Sequence, residues 1–280
     1  MAEEAADEVR GLEIPMYKKG AKYMYTINPR EPKYYPLDLA MAAQIFTVAG
    51  ESWTIPTTGW DCTNLPMFAG DRSLAGQVVK TMYNKAMELG VEKILLTECG
   101  HAFRSAAFEG PYLAGYPDGK PPVEVIHSVQ LFYEYLRDDR IRIARKLEEP
   151  VTYQDPCNVS RNGGLWEEGR RIIEYIVEDF RDMSPNREHN HCCGGGGGYI
   201  PMGSEFKERR MASGRVKLEQ IKATGAKMVI TPCHNCYDQI SDLNEEYNLG
   251  IKVSLLKEII CDIMVIPEEY KPEPQDESGD

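Results

Sequence analysis

The chain has 280 residues, a mass of 31.7 kDa and a formal net charge of −12. Residues 1–13 and 267–280 carry net charges of −4 and −5, so the part between them is nearly balanced and offers no basic surface for nucleic acid. No stretch reaches the roughly 20 apolar residues of a membrane-spanning helix, and the N-terminus is acidic where a secretory signal is basic. We expect a cytoplasmic protein that meets the cytoplasmic face of a membrane only through partners.

One pattern occurs twice along the chain. Residues 93–103 and 227–237 align at an offset of 134, each with a lysine, an apolar run ending in threonine, a cysteine and an aromatic residue. Each run predicts a short, buried, parallel strand that ends at the cysteine. The segments Leu74–Leu89 and Phe206–Ala223, each closed by glycine, predict the helices before these strands.

The other elements follow the same alternation. Further strands are predicted near residues 25–29, 123–127, 151–155 and 251–255, while 111–122, rich in proline, predicts a long loop. Strands that alternate with helices indicate an α/β fold with two pseudo-symmetric, Rossmann-like units and mostly parallel sheets. The predicted boundaries are an N-terminal extension (1–20), an incomplete first repeat (21–147), a complete second repeat (148–266) and an acidic segment expected to be disordered (267–280).

Eight cysteines are too few for a disulfide scaffold, and their distribution is uneven. Five form a set in the second unit, from which Cys261 stands apart: Cys157, Cys192, Cys193, Cys233 and Cys236. In the first unit only Cys62 and Cys99 occupy equivalent positions. The second repeat is therefore where metal or redox chemistry is expected.

The positions of these five cysteines indicate a shared site. Ligands of open parallel sheets bind at the carboxyl ends of strands, where Cys157 and Cys233 are predicted to lie. Cys236 falls in the next helical turn, and Cys192-Cys193 precede the five glycines Gly194–Gly198. Glycine lets the backbone approach an inorganic core closely, and its amides form anion-binding nests. We predict an iron–sulfur cluster, with a Cys₄ zinc site or inert cysteines as alternatives.

The cysteine pattern resembles the cysteine-rich CCG domain of heterodisulfide reductases and related iron–sulfur oxidoreductases. Asp155-Pro-Cys157-x₃-Arg161, Asn186-Arg-Glu188 and the glycine run also match, and the resemblance covers roughly residues 21–266. It implies one noncubane [4Fe-4S] cluster at which a disulfide or trisulfide is reduced or formed. The implied ligands are Cys157, Cys192, Cys193, Cys233 and Cys236, with Gly194, Gly195 and Gly196 beside the cluster. The incomplete first repeat argues against a second cluster.

Within this family the chain is similar to catalytic subunits of membrane complexes associated with dissimilatory sulfite reduction. This similarity implies membrane-bound quinone or cytochrome subunits and a small sulfur-carrier protein with a cysteine tail as partners. The sequence has no C-x₂-C-x₂-C-x₃-C-P run, so electrons are expected from a ferredoxin-type subunit or from a ferredoxin domain of a longer chain. The alternatives are an electron-relay subunit of a lactate- or glycolate-type dehydrogenase and a zinc-stabilised scaffold.

Other residues near the predicted site are candidates for catalysis. His101 follows the strand end of the first unit, and an ordinary histidine pKa would suit a proton relay. Cys62 and Cys99 are candidates for a transient mixed disulfide with substrate. Each of the three has a plainer interpretation as a packed or hydrogen-bonded residue. His191 and His234 flank predicted ligands and are expected to hydrogen-bond cluster sulfur.

Overall fold

Two parallel sheets form the framework of the protein. The computed structural model describes residues 8–61, 63, 65–196 and 198–272. The strands are β1 (Tyr23–Thr26), β2 (Trp53–Thr54), β3 (Lys93–Leu96), β4 (Glu124–His127), β5 (Val151–Tyr153), β6 (Met228–Thr231) and β7 (Lys252–Leu255). The first sheet has the order β2-β1-β3-β4 and the second β5-β6-β7. Every pair of neighbouring strands is parallel, which confirms the predicted fold class.

Helices connect these strands. They are α1 (Glu31–Tyr34), α2 (Asp38–Val48), α3 (Leu65–Phe68), α4 (Arg72–Leu89), α5 (Gly100–Phe103), α6 (Gly110–Leu113), α7 (Ser128–Arg137), α8 (Glu167–Ile176), α9 (Lys207–Thr224), α10 (His234–Tyr247) and α11 (Leu256–Ile263). A π-helical segment, Arg104–Glu109, joins α5 to α6. In the part of the chain that the structure describes, no helix combines the length and apolar character needed to cross a bilayer.

The ends of the long helices have local causes. Helix α4 begins two residues before its predicted start because the Asp71 side chain caps it, accepting a hydrogen bond from Leu74 N at 2.8 Å. It ends at Gly90, whose φ of 65° is left-handed and easily adopted by glycine. The prediction of a continuous loop over 111–122 is wrong at its start. Pro111 lies in the first turn of α6, where a missing N–H costs no helical hydrogen bond.

The chain termini pack together where they are described. Arg10 N donates to the Tyr270 carbonyl at 2.7 Å, and Glu268–Tyr270 forms a 3₁₀ turn. The start of the acidic segment is therefore ordered, contrary to expectation, while its residues 273–280 lie outside the described ranges. The strands of the first sheet all fall within residues 21–147 and those of the second within 148–266. The division into four domains at the predicted boundaries stays a prediction.

A buried network of charged residues, the Asp38 network, joins the two halves. Asp38 Oδ2, at the start of α2, lies 2.6 Å from His234 Nε2 and 2.8 Å from Lys257 Nζ. All three side chains are at most 1% exposed. Burial alone would raise the pKa of Asp38, but the charges of Lys257 and His234 hold it well below its usual range. Burial opposes the charged form of His234 as well, yet Asp38 raises its pKa to about 9.

The network bears on His234 and on a possible metal site. His234 Nε2 lies 2.6 Å from the Asp38 carboxylate, while its Nδ1 is buried without a hydrogen-bond partner among the described residues, so a bond from His234 to cluster sulfur stays a prediction. Glu31, Asp38 and His234 offer atoms close enough together for a metal ion. The ammonium of Lys257 already supplies the positive charge there.

Candidate metal centre

The two strands β5 and β6 deliver cysteines to one edge of the second sheet. They are parallel neighbours, with Val151 paired to Met228, so their carboxyl ends meet. Cys157 follows β5 after a short turn, and Cys233 follows β6 as the residue before α10. Cys236 lies in the first turn of that helix. The topology thus brings together three cysteines that are up to 79 positions apart.

The loop that carries Cys192 and Cys193 completes this set. All five cysteines line one cavity of about 260 Å³, together with Gly100, His101, Pro156, Asn158, Gly196 and Asn235. Cys193, Cys233 and Cys236 are buried, Cys157 is half-buried and Cys192 is exposed. The wall at residues 100 and 101 comes from the first half of the chain. We call this space the cysteine cavity.

Backbone amides point at the sulfur atoms. Gly194 N donates to Cys192 Sγ at 3.4 Å. The backbone amides of Gly195 and Gly100 act to lower the pKa values of Cys193 and Cys233, respectively. A Cβ at Gly194 would meet the Gly214 backbone at 2.8 Å, and the φ of Gly194 is 95°. The glycines therefore bring amides within reach of sulfur, as an anionic centre requires.

The five thiols are close enough to influence one another's protonation. Cys157 acts to lower the pKa of Cys192, and Cys236 acts to lower that of Cys233 to about 6. Neighbouring cysteines and burial raise the pKa values of Cys157, Cys193 and Cys236. Ionising all five thiols around one cavity would need a multivalent cation, so the donor set fits a metal–sulfur centre.

A second cavity adjoins the first through shared walls. It measures about 440 Å³, and His101 and Asn235 line both spaces. The remaining wall is mainly apolar, with Leu65, Phe68 and Pro201 among its residues. We call it the vestibule. Its position gives a molecule of modest size a place directly beside the sulfur atoms.

Hydrogen bonds fix the orientation of His101. Arg30 Nη1 donates to Asn235 Oδ1 at 3.0 Å, and Asn235 Nδ2 lies 2.6 Å from His101 Nδ1. Because an arginine only donates, Asn235 presents its oxygen to Arg30 and its N–H to the imidazole. Burial lowers the pKa of His101 to about 4. The expected ordinary histidine pKa is therefore wrong, and the ring is neutral at pH 7 with its proton on Nε2.

Cys99 is the other sequence candidate that reaches this region. It lines the vestibule, and its Sγ accepts hydrogen bonds from Asn28 Nδ2 and Ala102 N, both at 3.5 Å. Burial, and then the neighbouring Cys233, raise the pKa of Cys99 to about 12. It is a thiol at neutral pH. Cys62 lies outside the described residues.

Comparison with known proteins identifies the type of domain that contains this site. Residues 151–241 match the cysteine-rich domain CCG and include all five cysteines. Over 194 residues the chain is 27% identical to one polypeptide of the dihydromethanophenazine:CoB–CoM heterodisulfide reductase of Methanosarcina barkeri, a match that covers 69% of this chain and 45% of the relative. The chain therefore contains a CCG cysteine-rich domain and is similar in sequence to heterodisulfide reductase polypeptides. This relationship implies an iron–sulfur cluster.

Other relatives of this CCG protein have related names. It is 24% identical to an Hdr-like menaquinol oxidoreductase iron–sulfur subunit of Archaeoglobus fulgidus (71% of this chain, 42% of the relative). It is 22% identical to an EtfAB:quinone oxidoreductase of Syntrophomonas wolfei (66% and 26%). The chain thus spans at most about half the length of these relatives. A glutamate racemase structure from Bacillus anthracis aligns at a TM-score of 0.38 and 10% identity, over 87% of this chain and 80% of that one.

Proposed function

We propose that this CCG protein is an iron–sulfur oxidoreductase that reduces, or in reverse forms, a disulfide or trisulfide. The observation that supports the proposal is that the cysteine cavity and the vestibule adjoin each other. Five cysteines line the cysteine cavity, and the vestibule beside it shares His101 and Asn235 with that cavity. A group bound by the cysteines would therefore lie next to a space for substrate.

The cofactor we propose is one noncubane [4Fe-4S] cluster. Cys157, Cys192, Cys193, Cys233 and Cys236 would hold it, with the amides of Gly194, Gly195 and Gly196 near their sulfurs. The cluster supplies electrons one at a time. Reduction of R–S–S–R′ consumes two electrons and two protons and releases RSH and R′SH. A ferredoxin-type protein or domain is the proposed electron source.

Residues of this chain would stabilise the sulfur anion that forms when the S–S bond breaks and would hold a proton donor beside it. With Nδ1 occupied by Asn235, His101 offers Nε2–H as its free donor. A Cβ built on Gly196 would lie 3.2 Å from Nε2, so this nitrogen faces the glycine loop of the cysteine cavity. A neutral N–H there stabilises a developing thiolate by hydrogen bonding. Apolar side chains make up much of the vestibule wall, and the Cys99 thiol beside them, although its raised pKa makes it a weak nucleophile, is the candidate for a mixed disulfide.

The partners are part of the same proposal. An Hdr-like menaquinol oxidoreductase subunit among the relatives supports membrane quinone or cytochrome subunits as electron partners. The vestibule, which has apolar walls beside the cysteine cavity, is the proposed seat for the end of a cysteine-bearing tail on a small sulfur-carrier protein. We propose coupling to sulfite-reduction metabolism at the cytoplasmic face of a membrane on the resemblance of the sequence motifs.

The first test measures the iron and sulfide content of the protein. The full chain, purified without oxygen, is expected to contain about four irons with matching sulfide and to give an EPR signal unlike that of a cubane. With reduced viologen as the electron donor it is expected to reduce an organic disulfide. One zinc and no sulfide would overturn the proposal and leave a scaffold.

An electron-relay role is the second candidate. The EtfAB:quinone oxidoreductase relative favours it, because that name describes electron transfer to a quinone. A relay loads the same cluster but turns over no disulfide or trisulfide. A loaded protein that exchanges electrons with viologen and leaves such substrates intact would establish the relay.

His101→Asn is expected to lower kcat for disulfide reduction about 10- to 100-fold with unchanged iron content. Removing a single preorganised donor from a buried site has an effect of this order or larger. Steady-state rates and iron analysis of the same preparation measure it. His189→Asn changes a histidine that is 79% exposed and is the matched control. Equal rates in both variants would remove His101 from the mechanism.

A further inference from the structure

A lysine lies buried beside the cysteines without a carboxylate partner. Lys217, in the middle of α9, is 1% exposed. Its Nζ contacts Met183 Sδ at 3.4 Å, and within the described residues no acid forms a salt bridge with it. A buried ammonium is costly unless negative charge lies nearby. The thioether of Met183 is neutral and does not meet that need.

The side chains that act to keep this lysine charged are mainly cysteines. Burial lowers the pKa of Lys217, while Cys193 and Cys236 act to raise it, followed by Asp155. The carboxylate of Asp155 is already paired with an arginine, because it accepts from Arg170 Nη1 and Nη2, both at 2.8 Å. Met183, which Lys217 Nζ contacts, belongs to one buried cluster of side chains with Cys193 and Cys236. The lysine therefore lies next to the buried cysteines, and it is not among the residues that line the cysteine cavity or the vestibule.

We propose that Lys217 is the built-in counter-charge of the metal–sulfur centre and raises its reduction potential. The inference rests on the proposed cluster. A fixed positive charge in a low-dielectric core stabilises the reduced, more negative form more than the oxidised form. Lys217 does not line the cysteine cavity or the vestibule, so it acts through its field and is not a catalytic residue.

The test compares Lys217→Met, Lys217→Arg and Lys222→Met in the cluster-loaded full chain. Lys222 is on the same helix, half-exposed and paired with Glu219, so it controls for loss of a lysine. At a fixed potential the reduced-to-oxidised ratio of Lys217→Met is expected to fall about tenfold, which corresponds to about 59 mV for a one-electron couple. Lys217→Arg keeps the charge and should restore the wild-type ratio. EPR-monitored redox titration measures all of them.

A second measurement uses the metal-free chain. There Lys217 lacks the negative charge of a cluster, so Lys217→Met is expected to raise the unfolding temperature, whereas loading with cluster cancels that gain. If Lys217→Met does not fold, Lys217→Gln replaces it in both measurements. A titration curve that coincides with Lys222→Met overturns the inference. If the wild-type protein contains no iron, the proposed function is wrong. If the protein holds iron but turns over no disulfide, the proposed reaction is wrong, and the redox titration still tests the role of Lys217.

Discussion

Replacing Cys193 by serine is expected to cost the protein most of its iron and more than about 100-fold in disulfide turnover. Loss of an outer partner of a metal site costs about 10- to 100-fold, and loss of a direct ligand should exceed this. Cys193 is buried and lines the cysteine cavity, so an alcohol there would remove a soft ligand of the proposed cluster. Iron and sulfide analysis and viologen-linked rates measure the effect.

Cys261→Ser is the matched control for this variant. Cys261 is half-buried in α11, and its Sγ donates to Gln44 Oε1 at 2.6 Å, away from the cysteine cavity. A serine hydroxyl keeps such a bond, and iron content should stay at the wild-type level. Full iron in Cys193→Ser would remove this residue from the ligand set.

Asp38→Ala is expected to destabilise the protein by about 3–5 kcal/mol, the usual cost of breaking a buried ion pair from one side. The substitution leaves the Lys257 ammonium and His234 buried without their shared carboxylate. It also loosens the join between α2 and the start of α10. Urea unfolding of the metal-free chain, read as a shift of midpoint at constant slope, measures the loss.

An exposed ion pair provides the comparison. Arg145 and Asp262 lie 3.2 Å apart and are both more than 60% exposed, so Asp262→Ala should cost less than about 1 kcal/mol. Asp38→Asn retains the size of the side chain and separates loss of charge from loss of packing. If Asp38→Ala costs no more than Asp262→Ala, the Asp38 network does not stabilise the join.

Much of the framework was predictable because strand burial and parallel pairing leave continuous apolar runs in the sequence. The repeat at residues 93–103 and 227–237 became β3 and β6, each followed by a cysteine and a helix. The convergence of Cys157, Cys233 and Cys236 also followed from topology, since parallel strands end at one edge. The caps were harder to foresee. Asp71 shifts the start of α4 by a local hydrogen bond that periodicity does not report.

The polar contacts around the site could not be predicted from the sequence, for a different reason. Arg30 and Asn235 are 205 positions apart, and only the packing of the two halves makes them partners. Lys217 did leave a signal, because it falls on the buried face of α9 with Met211, Gly214 and Leu218. A lysine on a buried helix face normally needs an anionic partner. The pKa of His101 depends on burial between two halves, which no local pattern encodes.

Residues of both halves line the cysteine cavity, which limits how far the protein can be shortened without opening the site. Residues 151–241 hold every cysteine of the site, yet Gly100 and His101 close one side of the cavity from the other half of the chain. A fragment cut to those residues would carry all the thiols and leave them open to water and oxygen on that side. The incomplete repeat thus closes the cavity of its neighbour on that side.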